Sequence, residues 1–395
     1  MNKNVEYDLI IVGGGPAGAY TGKIASKLGL ETLIVEKRQE IGSPVRCAEG
    51  VGKKIEEYVN VAEEALAKDV KGARIYSPSN NYIDMLEEDA GAEVGYILNR
   101  KVFDQKLVEE AIKAGADVKL KTRASEFEQT EDGIRVKLVN NGASITLESK
   151  ILIGADGVES LVGKKMDIYN NLKLNEIESC AQFLMTGING IDLDYTHFYV
   201  GNEVAPGGYA WIFPKGDKKA NVGIGILPNG TDKSAYHYLK KFVEQREYLK
   251  NAKILEEIYG GVPVASPLEE AVDDNVMLVG DSARQSDPLT GGGILNAIKA
   301  GKIAGEVAKE AIESNNCKKD FLKRYDERRL EEIGQKNERN YDAKELFQKL
   351  SDEELNSLIS SLEEVSFESL SVTELVSELI KTNPWLSDEI DGFID

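Results

Sequence analysis

Three glycines near the start of the chain have the spacing of a nucleotide-binding turn. Gly13, Gly15 and Gly18 follow a short apolar segment that predicts a buried strand, and a helical pattern comes next. The first glycine permits the tight bend, the second lets the backbone approach a pyrophosphate, and the third lets helix and strand pack closely. Glu36 ends the following strand, where its carboxylate can accept a ribose hydroxyl. This order of features predicts a dinucleotide site; a glycine-rich turn in an ordinary α/β fold is the alternative.

Other sets of catalytic or metal-binding residues have little support. The two histidines, His197 and His237, lie far apart, and none of the three cysteines forms a CxxC pair. Metal sites and Ser-His-Asp chemistry are therefore not expected. An odd number of isolated cysteines favours a reducing interior over a disulfide framework.

The composition indicates an acidic globular protein. The 395 residues are 42% hydrophobic and carry a formal net charge of −20, and a chain of this length can form two or three domains. The charge argues against nucleic-acid binding and against attraction to an anionic membrane. Because no apolar run approaches the roughly 18 residues of a membrane span and no secretory signal is evident, we expect a cytoplasmic protein, with peripheral membrane contact left open.

Hydrophobic periodicity predicts the main local elements. It favours a helix from Ala19 to Leu28 and another from Val102 to Ala114. A hairpin is expected from Phe127 to Leu147 with its turn at Asn140–Gly142, followed by a separate buried strand at Ile151–Ile153.

The pattern divides the chain into a nucleotide-binding part and an inserted antiparallel part. Antiparallel strands are expected from about residue 168 to 270, after which Val276–Val279 again reads as a buried strand. The fold class is therefore α/β, and α+β overall, with a discontinuous Rossmann-like domain. The predicted dinucleotide domain comprises residues 1–72, 98–167 and 270–330, the inserted β-sheet domain comprises residues 73–97 and 168–269, and residues 331–395 form a C-terminal helical segment.

Motifs that lie far apart in the sequence occur together in one enzyme family. Gly13–Gly18, Gly154–Gly157 and Gly280–Ile294 resemble the FAD-binding segments of the para-hydroxybenzoate-hydroxylase-like fold. Pro206–Pro214 matches the PxxYxWxFP pattern of the geranylgeranyl reductases. Arg46–Gly50 resembles the cysteine loop of the archaeal members, which act on digeranylgeranylglycerophospholipids. The resemblance covers most of residues 5 to 330.

The resemblance implies FAD as the cofactor. Asp281 ends a strand, where a carboxylate can hold ribityl hydroxyls, and the following helix N-terminus could stabilise the negative charge of reduced flavin. Arg100 could meet a phosphate and the backbone at Ala124 could read adenine, although a surface ion pair and a plain strand end fit these two nearly as well. The cofactor-binding residues implied are Gly13, Gly15, Ala17, Gly18, Glu36, Cys47, Ala48, Gly50, Arg100, Ala124, Asp281, Gly292, Gly293 and Ile294.

Cys47 is the candidate for a catalytic side chain. It lies between Arg46 and Glu49 in a loop whose glycines suit backbone packed against a ring system. A thiol beside a flavin could donate a proton or tune the flavin, whereas most buried cysteines are simply small hydrophobic residues. An ordered water and a tyrosine are the other candidate proton donors.

Three aromatic residues alternate along one predicted strand. Tyr209, Trp211 and Phe213 therefore face one side of the sheet, while Ala210 and Ile212 face the other. The three rings could form the wall of an apolar substrate channel, or they could be an aromatic core face. An isoprenoid chain has no charge or hydrogen bonds, so it would bind by apolar burial, at about 25 cal/mol per Å².

The resemblance implies a reductase of membrane lipid biosynthesis. It would saturate the C=C bonds of geranylgeranyl chains on archaeal ether lipids, with a hydride from reduced flavin and a proton. The alternative is an FAD-dependent monooxygenase that hydroxylates an aromatic or polyprenyl compound, and a non-catalytic flavoprotein or lipid carrier is a third class. Because no second strand–GxGxxG–helix unit is present, the expected electron donor is ferredoxin, a reduced deazaflavin, or NAD(P)H bound without its own domain.

Overall fold

A computed structural model of the chain describes residues 6–86, 94–168, 171–362 and Asn383. Its strands are β1 (Tyr7–Val12), β2 (Thr32–Val35), β3 (Gly50–Gly52), β4 (Leu66–Asp69), β5 (Gly72–Tyr76), β6 (Tyr82–Leu86), β7 (Gly95–Leu98), β8 (Asp117–Lys119), β9 (Thr122–Gln129), β10 (Ile134–Asn140), β11 (Ala143–Gly154), β12 (Ile177–Thr186), β13 (Tyr195–Val200), β14 (Tyr209–Pro214), β15 (Lys219–Ile226), β16 (Lys253–Pro263), β17 (Val272–Asp273) and β18 (Val276–Leu278). Its α-helices are α1 (Pro16–Lys27), α2 (Arg100–Lys113), α3 (Leu161–Lys165), α4 (Ala235–Glu244), α5 (Glu247–Lys250), α6 (Ile294–Glu313), α7 (Lys319–Arg329), α8 (Gln335–Phe347) and α9 (Asp352–Leu362).

The first sheet has a parallel core that is buried on both faces. Six of its eight strands lie in the order β17-β18-β11-β1-β2-β8, and the five from β18 to β8 run parallel to one another. Strand β17 pairs antiparallel with β18, and β10 and β9 extend antiparallel from β11. Leu9, Ile10 and Ile11 on β1 are all fully buried, and because successive side chains point to opposite faces, both faces are covered. The carboxyl ends of these strands meet along one edge, which is where open α/β sheets bind their ligands.

The second sheet separates two layers of side chains. Its strands lie in the order β16-β12-β15-β14-β13-β5-β6, and all neighbouring pairs are antiparallel except β13 with β5. Ala210 and Ile212 face an apolar core that includes Leu239 of α4. Trp211 and Phe213 belong to a different cluster on the opposite face. Strand β14 therefore contributes to the core with one face and leaves the other for a site.

A small third sheet connects the cysteine loop to the rest of the molecule. Its order is β3-β7-β4, and β3 begins where the loop ends. The Leu98 N–H also donates to the Glu49 carbonyl at 2.8 Å. Helix α1 packs against both α2 and α6, so one apolar cluster runs from α1 to the third sheet.

The predicted class, an α/β fold with an inserted antiparallel sheet, is confirmed, although element boundaries differ. Helix α1 begins at Pro16 rather than Ala19, because proline suits the first helical position. The predicted hairpin turn is confirmed: Asn141 and Gly142 have φ of 47° and 84°, as a type I′ turn requires. The buried strand predicted at Ile151–Ile153 is confirmed, but it is not separate from the hairpin, since these residues continue β11 without a break.

Strand β16 lies in the region where antiparallel strands are expected, but the sequence pattern does not mark it as an individual strand. It lies at the edge of the second sheet, and Ile254, Leu255 and Tyr259 are 45%, 55% and 48% exposed, so no buried alternation marks it. Within the predicted C-terminal segment, α8 and α9 are helical as expected, and residues 363–382 and 384–395 lie outside the described residues. In the part of the chain that is described, no helix is both long and apolar enough to cross a bilayer.

Candidate active site

The glycine turn after β1 has the close approaches that its spacing predicts. Gly13 has a φ of 112°, a conformation that residues with a side chain rarely adopt. A Cβ on Gly18 would overlap the Gly13 carbonyl oxygen and lie 3.1 Å from Cγ2 of Ile11. Gly15, in contrast, has open space where a Cβ would be. The turn therefore brings α1 against β1 and leaves the helix N-terminus, with its unpaired N–H groups, facing outward.

Glu36 is held by the same turn. Its Oε2 accepts a hydrogen bond from the Gly14 N–H at 3.0 Å, and its Oε1 accepts one from the Arg38 N–H at 2.9 Å. Its carbonyl accepts from the Thr122 N–H at 2.8 Å. This last bond places the start of β9, and hence Ala124 two residues later, near the end of β2. Ala124 itself is buried and pairs with β10.

A cavity of about 290 Å³ lies beside the N-terminus of α1; we call it the nucleotide-side cavity. Its other walls are the cysteine loop, strands β12 and β14, and the glycine segment before α6. Gly13, Gly18, Glu36 and Ala124 are not part of its lining. The predicted site residues that line it are Gly15, Ala17, Cys47, Ala48, Gly50, Arg100, Tyr209, Trp211, Phe213, Asp281, Gly292, Gly293 and Ile294.

Asp281 presents a carboxylate to this cavity. Burial raises the pKa of Asp281, and the Arg100 guanidinium partly counters that effect. Among the described residues, no N–H or O–H group donates a hydrogen bond to the Asp281 carboxylate. A partly buried carboxylate that faces a cavity can accept hydrogen bonds from the hydroxyl or amide groups of a ligand, so the residue fits the ribityl hydroxyls of a flavin nucleotide.

Arg100 is engaged within the protein. Its guanidinium makes two hydrogen bonds to Asp104, at 2.8 and 2.9 Å, and its backbone N–H donates to Glu49 Oε1 at 2.8 Å. The residue lines the cavity and also lowers the pKa of Cys47, which burial raises more strongly. The ion pair that the sequence analysis left as the alternative is therefore present, and it is buried rather than exposed.

The cysteine loop is held in place by side chains of the second sheet. Gln182 Nε2 donates to the Cys47 carbonyl at 3.0 Å, and Asn221 Nδ2 donates to the Ala48 carbonyl at 3.0 Å. Glu49 is buried, and its Oε2 accepts from Asn221 at 2.7 Å and from Lys215. Sequence reasoning missed these three partners, because they lie more than a hundred positions from the loop and belong to no motif.

The aromatic strand lies where alternation predicts. Tyr209, Trp211 and Phe213 line the nucleotide-side cavity, while Trp211 and Phe213 are only 7% and 4% exposed. Trp211 Nε1 donates to Gln182 Oε1 at 2.9 Å, and the Tyr209 hydroxyl donates to the Thr290 carbonyl. Trp211 and Phe213 are thus both tightly packed and part of the cavity wall, whereas Tyr209 is partly buried.

A second cavity of about 500 Å³ adjoins the first; we call it the apolar cavity. It lies between strands β5, β6 and β13 on one side and helices α8 and α9 on the other. No motif in the sequence indicates it. Its apolar lining includes Ile75, Met85, Phe198, Phe347, Leu358 and Ile359.

The chain resembles known proteins over nearly its whole length. Residues 176–262 match the family described as the geranylgeranyl reductase catalytic domain, and residues 11–58 match the NAD(P)-binding Rossmann-like domain. The chain is 49% identical to the digeranylgeranylglycerophospholipid reductase of Methanosarcina acetivorans, over 95% of this chain and 93% of that one. It is 45% identical to the protein of the same name from Methanothrix thermoacetophila, over 95% and 96%.

Solved structures share the fold. A geranylgeranyl bacteriochlorophyll reductase-like protein from Thermoplasma acidophilum superposes with a TM-score of 0.91 at 40% identity, over 98% of both chains. A halogenase crystallised with FAD superposes with a TM-score of 0.69 at 17% identity, over 90% of this chain and 79% of that one; it shows a similar fold only.

Proposed function

The chain belongs to the digeranylgeranylglycerophospholipid reductases, so it is a flavin-dependent reductase of geranylgeranyl chains, and we propose that FAD is the cofactor and an ether phospholipid carries the chains. The observation that supports this proposal best is the apolar cavity, which adjoins the nucleotide-side cavity. The nucleotide-side cavity can hold the reducing cofactor, and the apolar cavity next to it can hold a long hydrocarbon chain.

The residues at the sheet edge fit FAD. The first turn of α1, from Gly15, would face the pyrophosphate, Glu36 the ribose, and Asp281 the ribityl hydroxyls. Gly292, Gly293 and Ile294 at the start of α6 would lie against the ring system. When bound and reduced, FAD supplies the hydride that one alkene carbon receives, and the other carbon needs a proton. We further propose that the first sheet forms the FAD-binding domain and the second the substrate domain.

The lipid is proposed to bind through apolar contact alone along most of its length. Its chains would occupy the apolar cavity, and the bond to be reduced would lie beside Tyr209, Trp211 and Phe213. Positive charge that develops on the more substituted alkene carbon would be stabilised by the faces of these rings. The Cys47 loop would contact the flavin from the other wall of the nucleotide-side cavity.

The electron donor belongs to the same proposal. The candidates are a ferredoxin, a reduced deazaflavin, and NAD(P)H bound without a domain of its own. Stopped-flow reduction of the bound flavin with each donor separates them, since only a physiological donor should reduce it rapidly at micromolar concentration.

Product analysis without oxygen tests the reaction. Enzyme reduced with dithionite is mixed anaerobically with digeranylgeranylglycerophospholipid, and the lipid is examined by mass spectrometry. We expect two added hydrogens for each bond reduced, and no change with the fully saturated lipid as control. Product that gains an oxygen atom, and only in air, would favour the monooxygenase instead.

A further inference from the structure

The two cavities share three of the described residues: Glu178, Tyr209 and Thr290. A hydrocarbon chain that extends from the apolar cavity toward the nucleotide side must pass these three. The Tyr209 hydroxyl donates to the Thr290 carbonyl, and Thr290 Oγ1 accepts from the Gly292 N–H at 3.2 Å. Glu178 is the one acidic side chain of the three.

The Glu178 side chain is buried against the backbone of neighbouring strands. The residue is 6% exposed and lies on β12, beside two glycines. A Cβ on Gly225 would overlap Oε2 of Glu178, and one on Gly208 would lie 3.2 Å from Oε1. Among the described residues, no N–H or O–H group donates to its carboxylate, although the side chain faces both cavities. Such a group is expected to keep a proton, because an unpaired buried charge is costly.

The surroundings of Glu178 agree with this protonation. Burial raises the pKa of Glu178 to about 7, and the Lys344 ammonium partly counters the rise. Lys344, on α8, is itself buried; its Nζ donates to the Val264 carbonyl at 2.6 Å and lies 3.5 Å from Glu345. Within the described residues, no ion pair of 4 Å or less joins Lys344 to Glu178.

The two thiols that line the nucleotide-side cavity, those of Cys47 and Cys180, are weaker acids than the Glu178 carboxyl group. Burial raises the pKa of Cys47, and it raises that of Cys180 still further from its usual range, with the Glu178 charge adding to the second effect. The Cys47 Sγ already accepts a hydrogen bond from the Glu49 N–H at 3.2 Å. A neutral carboxyl group near neutral pH is the better general acid, because efficiency is greatest when the pKa lies close to the working pH.

We propose that Glu178 is the catalytic acid that protonates the alkene, an inference that rests on the reductase function proposed above. The Oε–H bond breaks and a C–H bond forms at the carbon that does not receive the hydride, while the π bond supplies the electron pair. The carboxylate that remains faces the Lys344 charge. A proton from water restores the acid before the next turnover.

The first test is Glu178→Gln, which keeps the size of the side chain but cannot supply the proton. We expect normal flavin content and lipid affinity, with single-turnover reoxidation by lipid slowed by about 10²–10⁴-fold. Glu256→Gln is the matched control, since Glu256 lies on the neighbouring strand β16 opposite Leu184, is exposed and lines neither cavity. That control should react at the wild-type rate.

The pH dependence of the single-turnover rate distinguishes a proton donor from a residue that only lines the cavity. Because the protonated form is the active one, the wild-type single-turnover rate should fall as the pH rises through about 7, and Glu178→Gln should lose this fall. The titratable groups that face Glu178 are Lys344 from α8, Cys180 from its own strand and Tyr209 from β14. In Lys344→Met the fall in rate should move to higher pH, because the ammonium that lowers the pKa of Glu178 is removed. If the fall reported the titration of Lys344 itself, it would vanish in this variant.

The outcomes are distinct. A Glu178→Gln rate near wild type with an unchanged pH profile overturns the inference, and so does weaker lipid binding with a normal rate for the bound complex. If Glu178→Gln loses flavin, Glu178→Asp becomes the deciding variant. A slower Glu178→Asp enzyme whose rate still falls with rising pH supports Glu178 as the acid, and one whose rate does not fall overturns the inference. If wild-type reduced enzyme fails to react with lipid anaerobically, the proposed function itself is wrong.

Discussion

The nucleotide-binding edge, where the carboxyl ends of the parallel strands of the first sheet meet, and the apolar cavity are built in different ways. The edge is made by short segments in which the functional residues are close in sequence, as in Gly13–Gly18 and Gly280–Ile294. The apolar cavity is made by strands β5, β6 and β13 together with helices α8 and α9, which come from distant parts of the chain. Phosphates are recognised by backbone N–H groups at a helix N-terminus, which requires a local motif. A hydrocarbon chain requires only apolar area, which leaves no motif.

This difference predicts that substitutions in the two regions affect separate properties, flavin binding in one case and lipid binding in the other. Damage to the edge should abolish flavin binding and every later step. Damage to the apolar cavity should weaken lipid binding while the flavin is still bound and still reducible.

The largest effect is expected for Gly18→Val. A side chain there meets the Gly13 carbonyl in the turn after β1 and Ile11 on β1, and overpacking of this kind costs about 1–3 kcal/mol. We expect purified protein without flavin absorbance. Gly230→Ala is the control, because its added Cβ would approach only Pro206 at 3.9 Å. A Gly18→Val protein that retains flavin would contradict this account of the turn.

Trp211→Ala tests the wall between the regions. The loss of the indole should weaken lipid binding by roughly 1–3 kcal/mol and remove a donor to Gln182, which also holds the Cys47 carbonyl. Reduction of the flavin by dithionite should be normal. Trp211→Phe, which keeps most of the area, should bind lipid more tightly than Trp211→Ala. Normal lipid turnover by Trp211→Ala, or simple unfolding, would identify Trp211 as a core residue only.

Cys47→Ala tests the wall of the nucleotide-side cavity that the cysteine loop forms. The loop carbonyls keep their bonds to Gln182 and Asn221, so flavin should remain bound. Turnover should fall by less than the roughly 10²–10⁴-fold expected for loss of a general acid, since that role is assigned to Glu178. Rapid-mixing measurements on the two variants side by side decide which residue supplies the proton; a larger loss for Cys47→Ala would assign it to the thiol.

The smallest effect is expected for Leu358→Ala in the apolar cavity. Leu358 is 6% exposed and lines the cavity from α9, so removing part of it should weaken lipid binding by about 1 kcal/mol. Flavin affinity and the rate of flavin reduction should not change. Equilibrium titration of the oxidised protein with lipid measures the effect, and a loss of flavin in this variant would show that the two regions are coupled.

The same contrast explains what the sequence could predict. Gly13, Gly15, Gly18 and Asp281 are recognisable because a turn, a helix start or a strand end fixes each of them locally. The strand Tyr209–Pro214 is recognisable because alternation assigns its two faces.

The remaining site residues depend on long-range packing. Glu49 is held by Lys215 and Asn221. Glu178 can be buried because Gly225 on β15 and Gly208, just before β14, leave room beside its carboxylate. A glutamate on a strand that looks amphipathic gives no sign of such burial. Helices α8 and α9 are predictable as helices, but the contact of α9 with β6 is not.

The most direct test is the rate of anaerobic flavin reoxidation as a function of lipid concentration. Enzyme reduced to completion should reoxidise with digeranylgeranylglycerophospholipid in a single saturable phase, one bond reduced per flavin, and should stay reduced with the saturated lipid. Reoxidation that occurs only when oxygen is admitted, with no hydrogen added to the lipid, would contradict the account.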